Sequence, residues 1–417
     1  MPDAVYDALV IGGGPGGSTA ATFLARAGKK VLLLEKEHFP RFHIGESLLP
    51  YNRRIFEDMG VLPALEAEGF PKKFGAQFHL GNGKKSVGFV FKNGIFTREK
   101  RAIQVERAKF DHILLQHAAK SGAAVREGWT VTKFVSEPDS IAVEARSETG
   151  ATEMLRAKFL IDASGRGNIT GNQEKLRVIN PSLKKLAVFG HFKNVRLDPG
   201  EKGGDTIIVR LENKWFWIIP ISTEKTSVGC VMDQGEFQQA KEPPDAIFDR
   251  LWKSSAAMRE RMEKAERVGR VQTASDFSYM NKRLTGHRLL RVGDAAGFMD
   301  PIFSAGVYLA MYSGQLAADV VIQNLARDKS NLGFARYEKK VGRAMKFYAE
   351  MVEGFYTTPF MELFFEPREK WHLSSAVNAA LAGEVEGGWA VQWRMRAFFL
   401  LVKMQGKHPV VPQISFD

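Results

Sequence analysis

At 417 residues, 44% of them hydrophobic and 25% charged, the chain has the make-up of an ordinary globular protein with room for two or three interleaved subdomains. One cysteine, Cys230, excludes an internal disulfide and a cysteine metal cluster, and no apolar run approaches the roughly 18 residues of a membrane span. The net charge of +12 is scattered in short groups such as Lys72-Lys73, Lys84-Lys85 and Lys339-Lys340, which argues for solvated surface before an acidic partner, and against nucleic acid. No signal-peptide pattern opens the chain, so a cytoplasmic protein without a metal is expected.

A short apolar strand, Ala8-Leu9-Val10-Ile11, runs into Gly12-Gly13-Gly14-Pro15-Gly16-Gly17 and then a helical stretch. This is G-x-G-x-x-G between strand and helix. Gly12 permits the turn, Gly14 lets backbone approach a pyrophosphate, and Gly17 lets the helix pack on the strand. Phosphates would rest on the free N–H groups at the start of the helix that Pro15 and Gly16 open, Pro15 itself having none to give. A second strand, Val31–Leu34, ends in Glu35, 18 positions past Gly17 and so close to the spacing of an acid that binds ribose hydroxyls. Strand, helix and acid together mark a dinucleotide site.

Further on, residues 51–68 carry Ile55, Met59, Leu62 and Leu65 at helical spacing. Short strands are expected from Phe70 to Phe96, with hairpin turns at Gly81-Asn82-Gly83 and Asn93-Gly94. Helix returns over 104–120. Strands follow at Ala123–Arg126 and, after a loop, Ile141–Arg146, and then comes Phe159-Leu160-Ile161-Asp162 before Gly165. Residues 186–233 alternate as an antiparallel sheet does, and from Gly314 onward the pattern is helical.

Two more stretches carry chemistry. Phe39-Pro40-Arg41-Phe42-His43-Ile44-Gly45-Glu46-Ser47 follows the second strand, and Gly293-Asp294 leads into Asp300-Pro301-Ile302-Phe303-Ser304-Ala305-Gly306-Val307. With Trp215-Phe216-Trp217-Ile218-Ile219-Pro220, which fits W-x-W-x-I-P, they resemble the flavin-dependent halogenases within the FAD monooxygenase-like and geranylgeranyl reductase-like flavoproteins. The resemblance covers most of residues 5–325.

The resemblance implies an α/β fold. A Rossmann-like FAD module of the glutathione reductase-2 or aromatic hydroxylase type would be assembled from 1–72, 100–180 and 270–330. An antiparallel sheet from 73–99 and 181–269 would cover the flavin, and 331–417 would form a helical region. It implies FAD held by the Gly-rich turn, Glu35, Lys36, Arg41, Gly45, Glu46, Ser47, Arg107, Asp162, Gly165, Gly293, Asp294, Pro301, Gly306 and Val307. Asp294 would hold the ribityl chain, although an Asp there also suits a helix cap. Read without the resemblance, Arg107 is an arginine opening a helix in solvent.

The same resemblance places chloride or bromide on the backbone amides of Ala305 and Gly306, a concave anion site without a fixed cation. Reduced flavin, from a separate reductase, and oxygen would convert halide to hypohalous acid. Lys73 would pass it to an aromatic ring, by hydrogen bond or as a haloamine, because an amine is a nucleophile when neutral and a donor when charged. The bland reading of Lys72-Lys73 is an exposed pair. Trp215 and Trp217 point to one face of a strand and would wall the substrate from the flavin, although a core strand can carry two tryptophans as well. Tryptophan halogenases have a catalytic glutamate where this chain has Phe303, so a phenol or pyrrole, in some members tethered to a carrier protein, is the expected substrate. An FAD hydroxylase or epoxidase, an isoprenoid-saturating flavin reductase and a non-catalytic flavin-binding protein remain as alternatives.

Overall fold

Four successive apolar residues, Ala8 to Ile11, are buried on both faces of the strand Tyr6–Ile11, as parallel sheets covered by helices require. In the computed structural model, which describes residues 5–367, 369–385 and 388–416, this strand lies at the middle of a parallel sheet. Val31–Leu34 pairs on one side and Thr152–Asp162 on the other, flanked by Ala124–Arg126 and Leu289–Arg291. Trp129–Ser136 and Ile141–Ser147 extend it as an antiparallel pair. The first of these falls where a loop was expected. A register shift between Val131 and Lys133 breaks its alternation and hides the strand signal.

The helix Pro15–Arg26 follows the Gly-rich turn and packs on the strand behind it and on the long helix Gly306–Arg327. Both contacts depend on missing side chains. A Cβ at Gly17 would stand 1.9 Å from the Gly12 carbonyl oxygen, and one at Gly314 would stand 2.5 Å from that of Gly16.

A second sheet faces the first. Its order is Gly297–Phe298, Glu266–Asn281, Arg177–Lys193, Thr226–Asp233, Trp215–Pro220, Thr206–Arg210, Gly75–Leu80 and Ser86–Val90. It departs from a purely antiparallel sheet at one place, where Thr206–Arg210 runs parallel to Gly75–Leu80. Arg177–Lys193 and Glu266–Asn281 run across residues 180 and 270, the expected boundaries of the FAD module, and lie wholly in this second sheet.

The expected helix over 51–68 is two helices, Asn52–Met59 and Leu62–Ala67, because Gly60 adopts φ +76° and ends the first. Gly81-Asn82-Gly83 does turn a hairpin, but Asn93-Gly94 does not: Phe91–Asn93 coils into a 3-10 turn, and Asn378 Nδ2 donates to the Val90 carbonyl at the strand's end. The C-terminal helices Phe334–Phe355, Thr358–Phe364, Leu373–Leu381 and Gly388–Gln405 close the fold beneath the second sheet, with Phe78 packing on Phe355 and Phe364. Among the described residues, no helix is long and apolar enough to cross a membrane.

Candidate active site

Between the sheets lies a cavity of about 680 Å³. The Gly-rich turn forms one end. Gly12, Gly14, Pro15 and Gly16 line it, with Glu35 and Lys36 at the end of the second strand. Gly12 has φ +96°, a conformation that the turn needs and side chains resist. Glu35 accepts from the Gly13 N–H at 2.6 Å and from the Glu37 N–H at 2.9 Å, which fixes its carboxylate at the cavity wall. Gly17 lies outside the lining. Its part is the close packing already described.

Arg41, Gly45, Glu46 and Ser47 line the next stretch of wall. Arg107 joins them, but its guanidinium is committed within the protein. Its Nε and Nη2 grip Asp111 at 2.8 and 2.9 Å, and its Nη1 donates to the carbonyls of Ile44 and Gly45 at 2.8 and 3.2 Å. Arg41 Nη1 reaches the same carboxylate at 2.9 Å. Burial would raise the Asp111 pKa, yet the two arginines beside it hold the carboxyl below its ordinary range. One buried acid therefore pins the 41–45 segment against the cavity. Glu46 is held by His191 Nε2 at 3.0 Å.

Asp162 does not line the cavity. Its oxygens accept from the Ser164 N–H, the Thr170 N–H and the Thr170 hydroxyl at 3.0, 2.9 and 2.6 Å, so it organises the turn bearing Gly165, which does line it. Gly293 and Asp294 lie on the facing wall. Among the described residues no donor hydrogen-bonds the Asp294 carboxylate, and burial pushes its pKa up to about 6. A desolvated acid with unused oxygens is suited to the hydroxyl donors of a ribityl chain.

Pro301, Ala305, Gly306 and Val307 also line the cavity. Ser304 turns the chain with φ +56°, and Ala305 is the N-cap of Gly306–Arg327 without any side-chain oxygen to cap it. The first-turn amides are thus left for an external acceptor. A Cβ at Gly306 would meet nothing within 4 Å.

Trp215 and Trp217 share one face, ring centres 6.0 Å apart, and both line the cavity. Their indole N–H groups are satisfied by the Tyr356 hydroxyl at 2.8 Å and the Ser227 hydroxyl at 3.0 Å. Tyr356 in turn donates to Asp300 at 2.7 Å, and burial holds the Asp300 carboxyl up at about 6.

Lys73 is not an exposed lysine. It is 2% accessible and stands one layer behind the wall, where Nζ donates to Ser47 Oγ at 2.8 Å and the Leu48 carbonyl at 3.1 Å. Ser47 Oγ also bonds Thr206 Oγ1 at 2.8 Å, and Gln104 Nε2 donates to the latter at 2.9 Å. Desolvation brings the amine down from 10.5 to about 7, against a smaller opposing pull from Asp205. Thr206, Gln104, Asp205, Asp111, Asp300 and Tyr356 escaped the sequence reading. All of them lie inside stretches that the sequence marks out by motif or by suggested secondary structure, but nothing in sequence joins Lys73 to residues 206 and 104.

A profile of the FAD binding domain family matches residues 5–342. The chain is 31% identical to a 1H-pyrrole-2-carbonyl-[peptidyl-carrier protein] chlorinase of Pseudomonas fluorescens, over 98% of this chain and 96% of that one. This protein belongs to the flavin-dependent halogenases. A tryptophan 2-halogenase of Chondromyces crocatus is 34% identical over 84% of this chain and 65% of its own. The solved flavin-dependent brominase Bmp2 superposes with TM-score 0.85 at 29% identity, over 96% of this chain and 100% of that one.

The halogenase is therefore an FAD enzyme that oxidises halide, as opposed to a hydroxylase or an isoprenoid reductase, and takes reduced flavin from a separate reductase. The cavity fits that cofactor on its own terms. Its end is cleared of side chains at the Gly-rich turn, and its middle presents an acid without a donor.

Proposed function

We propose that this halogenase delivers electrophilic halogen through Lys73 to a pyrrole or phenol carried on an acyl or peptidyl carrier protein, in the cytoplasm. The observation that carries the reading is the lysine itself: a buried amine brought to about 7, fixed by Ser47 and Leu48 one layer from the cavity. Near neutral pH such a group is populated in both protonation states, so it can donate to hypohalous acid or accept its halogen.

When bound, reduced FAD supplies the oxygen activation that turns halide into hypohalous acid. The chain's residues would do the rest. The Gly12–Gly17 turn, Glu35 and Lys36 would hold the adenosine diphosphate portion. Arg41, Gly45, Glu46, Ser47 and Arg107 would hold the strap over it, and Gly165, Gly293, Asp294, Pro301 and Val307 would fix the far end. The open amides at Ala305 and Gly306 would seat the halide. Trp215 and Trp217 would separate substrate from cofactor. At Lys73 the halogen–oxygen bond would break as the ammonium's proton completes the departing water, a carbon–halogen bond would form, and the proton lost by the ring would restore the ammonium.

A carrier-bound pyrrole is favoured by the relative matched along nearly its whole length, which acts on one. The likeness to the tryptophan enzyme spans 65% of that protein. Phe303, standing where a glutamate would serve a less activated ring, agrees. The test is mass spectrometry of products from purified protein, FAD, flavin reductase, NADH, oxygen and bromide with free and carrier-loaded pyrroles and phenols. Brominated product is expected; hydroxylated product alone would overturn the reading.

A further inference from the structure

The C-terminal helix Gly388–Gln405 presents a face that the rest of the molecule leaves bare. Trp389, Trp393, Arg396, Leu400 and Lys403 recur at intervals of four and three, with Met404 four past Leu400, which places them along one side. Trp389 is 80% exposed and Leu400 58%. Beside them, the Arg394 guanidinium lies 4.3 Å from the Trp393 ring and 4.7 Å from the Phe96 ring, and its Nε donates to the Trp371 carbonyl at 2.8 Å. This joins the helix to exposed Ile95 and Trp371 in a single surface.

The surface is positive. No Asp or Glu occurs between residues 388 and 416, and among the described residues Arg396, Lys403 and Lys407 make no ion pair. Among the described residues its border carries two carboxylates, Glu369, 4.0 Å from His372, and Glu366, which lines the adjoining cleft and is neutralised by Lys85. Contiguous exposed apolar groups mark interaction sites, tryptophan and arginine are the usual anchors, and unpaired cations around them select an acidic partner.

The surface also leads inward. A cleft of about 210 Å³ is lined by exposed Trp371, by Leu373, Val377, Phe398 and Leu401, and by buried Phe89. Phe89 is two residues from Phe91, a chain separation of at most about 7 Å. The Phe91 ring centre lies 5.7 Å from Lys73 Nζ.

We propose that this face docks the acidic carrier protein, with the cleft receiving an apolar side chain of the carrier's helix, so that its tethered acyl group is delivered from the side of Phe91 toward Lys73. The inference rests on the carrier-bound reading of the substrate. The likeness to the pyrrole-carrier chlorinase spans 98% of the chain and therefore takes in this helix.

The test uses full-length enzyme with FAD, flavin reductase, NADH, oxygen and bromide. Wild type, the double variant Arg396→Glu/Lys403→Glu and Trp389→Ala are offered pyrrole-2-carbonyl loaded on an acidic peptidyl carrier protein. Phenol red reports hypobromous acid formation separately. In both variants KM for the loaded carrier should rise about tenfold or more, while kcat and phenol red bromination stay within about twofold, and wild-type KM should climb with added salt. A loaded carrier brominated with unchanged KM by both variants overturns the docking surface and leaves the carrier reading standing. Wild type that brominates phenol red but never the loaded carrier overturns the carrier reading and the surface with it. A wild-type dimer that the variants dissolve, with KM unmoved, assigns the face to a second copy instead.

Discussion

At the Gly12–Gly17 end of the cavity the working parts are backbone, and what matters is the side chains that are missing: a single methyl at Gly17 would stand 1.9 Å from a carbonyl oxygen. At Lys73 the working part is one side chain, and what matters is the water it has lost, which brings its amine to about 7. The first end binds by shape and amide direction, and chemistry is carried at the second. They should therefore fail in different ways, one through binding and stability together, the other through chemistry with the fold intact.

The largest separation of the two comes from Lys73→Ala. Halogenated product should fall on the order of a thousandfold, the scale of losing a proton-transfer or nucleophilic group. NADH and oxygen consumption with the partner reductase should continue, because the residue lies outside the cavity lining. Loss of flavin oxidation in this variant would mean that Lys73 serves the cofactor and that the contrast is false. Gly17→Ala should do the reverse. Overpacking of this kind costs about 1–3 kcal/mol, so a lowered unfolding midpoint and weakened FAD binding are expected, read by denaturant titration and flavin fluorescence. Product per bound FAD should be preserved.

The same contrast explains what could be read in the sequence. Glycines that make a turn and a close helix contact sit in consecutive positions, so the motif prints its own geometry, and Glu35 follows at a fixed spacing because one helix intervenes. The environment of Lys73 has no such print. Ser47, Gln104, Asp205 and Thr206 reach it from three separate parts of the chain, and three pairings bring them together: Thr206–Arg210 beside Gly75–Leu80, Lys73 opposite Ala102, and Ser47 opposite Gln104. Sequence patterning could suggest that Lys73 mattered only through a resemblance; that it is buried follows from the fold. The same holds for Asp300 and Tyr356, joined at 2.7 Å across 56 positions. The strand Trp129–Ser136 was missed for a local reason, its bulge, and Asp162 was placed on the cofactor although the Thr170 turn consumes its oxygens.

Asp205→Asn sharpens the chemistry at the second end. The carboxylate's field raises the lysine's pKa, so its removal lowers a value already near 7. If the ammonium is the working form, activity is lost as pH rises through that pKa, and the variant should lose a few-fold in rate at about pH 7.5 while the wild-type limb lies higher. A gain at about pH 6.5 would instead assign the work to the neutral amine. Stability offers a second reading of the same burial. Between about 7 and 10.5 the unfolded chain binds more protons at this lysine than the folded one, so its contribution to stability rises with pH across that window. Lys73→Met should flatten that part of the unfolding profile.

The smallest effect is expected at Gly306, and it tests whether every glycine of the cavity obeys the rule of the first end. A Cβ here meets nothing within 4 Å, the residue opens a helix, and Ala305 before it caps no amide with a side chain. Gly306→Ala should therefore change stability by less than about 1 kcal/mol, in the direction of gain, since alanine is the better helix former. The added methyl points into the open space beside the amides assigned to the halide. Half-saturating bromide should rise several-fold while FAD affinity is unmoved. If bromide dependence is unchanged and the protein is merely a little more stable, Gly306 is an ordinary first-turn residue, and the halide lies elsewhere along the wall. If FAD binding falls as it does for Gly17→Ala, the two glycines belong to one backbone site, and the division of the cavity into a binding end and a chemical end lies further toward Lys73.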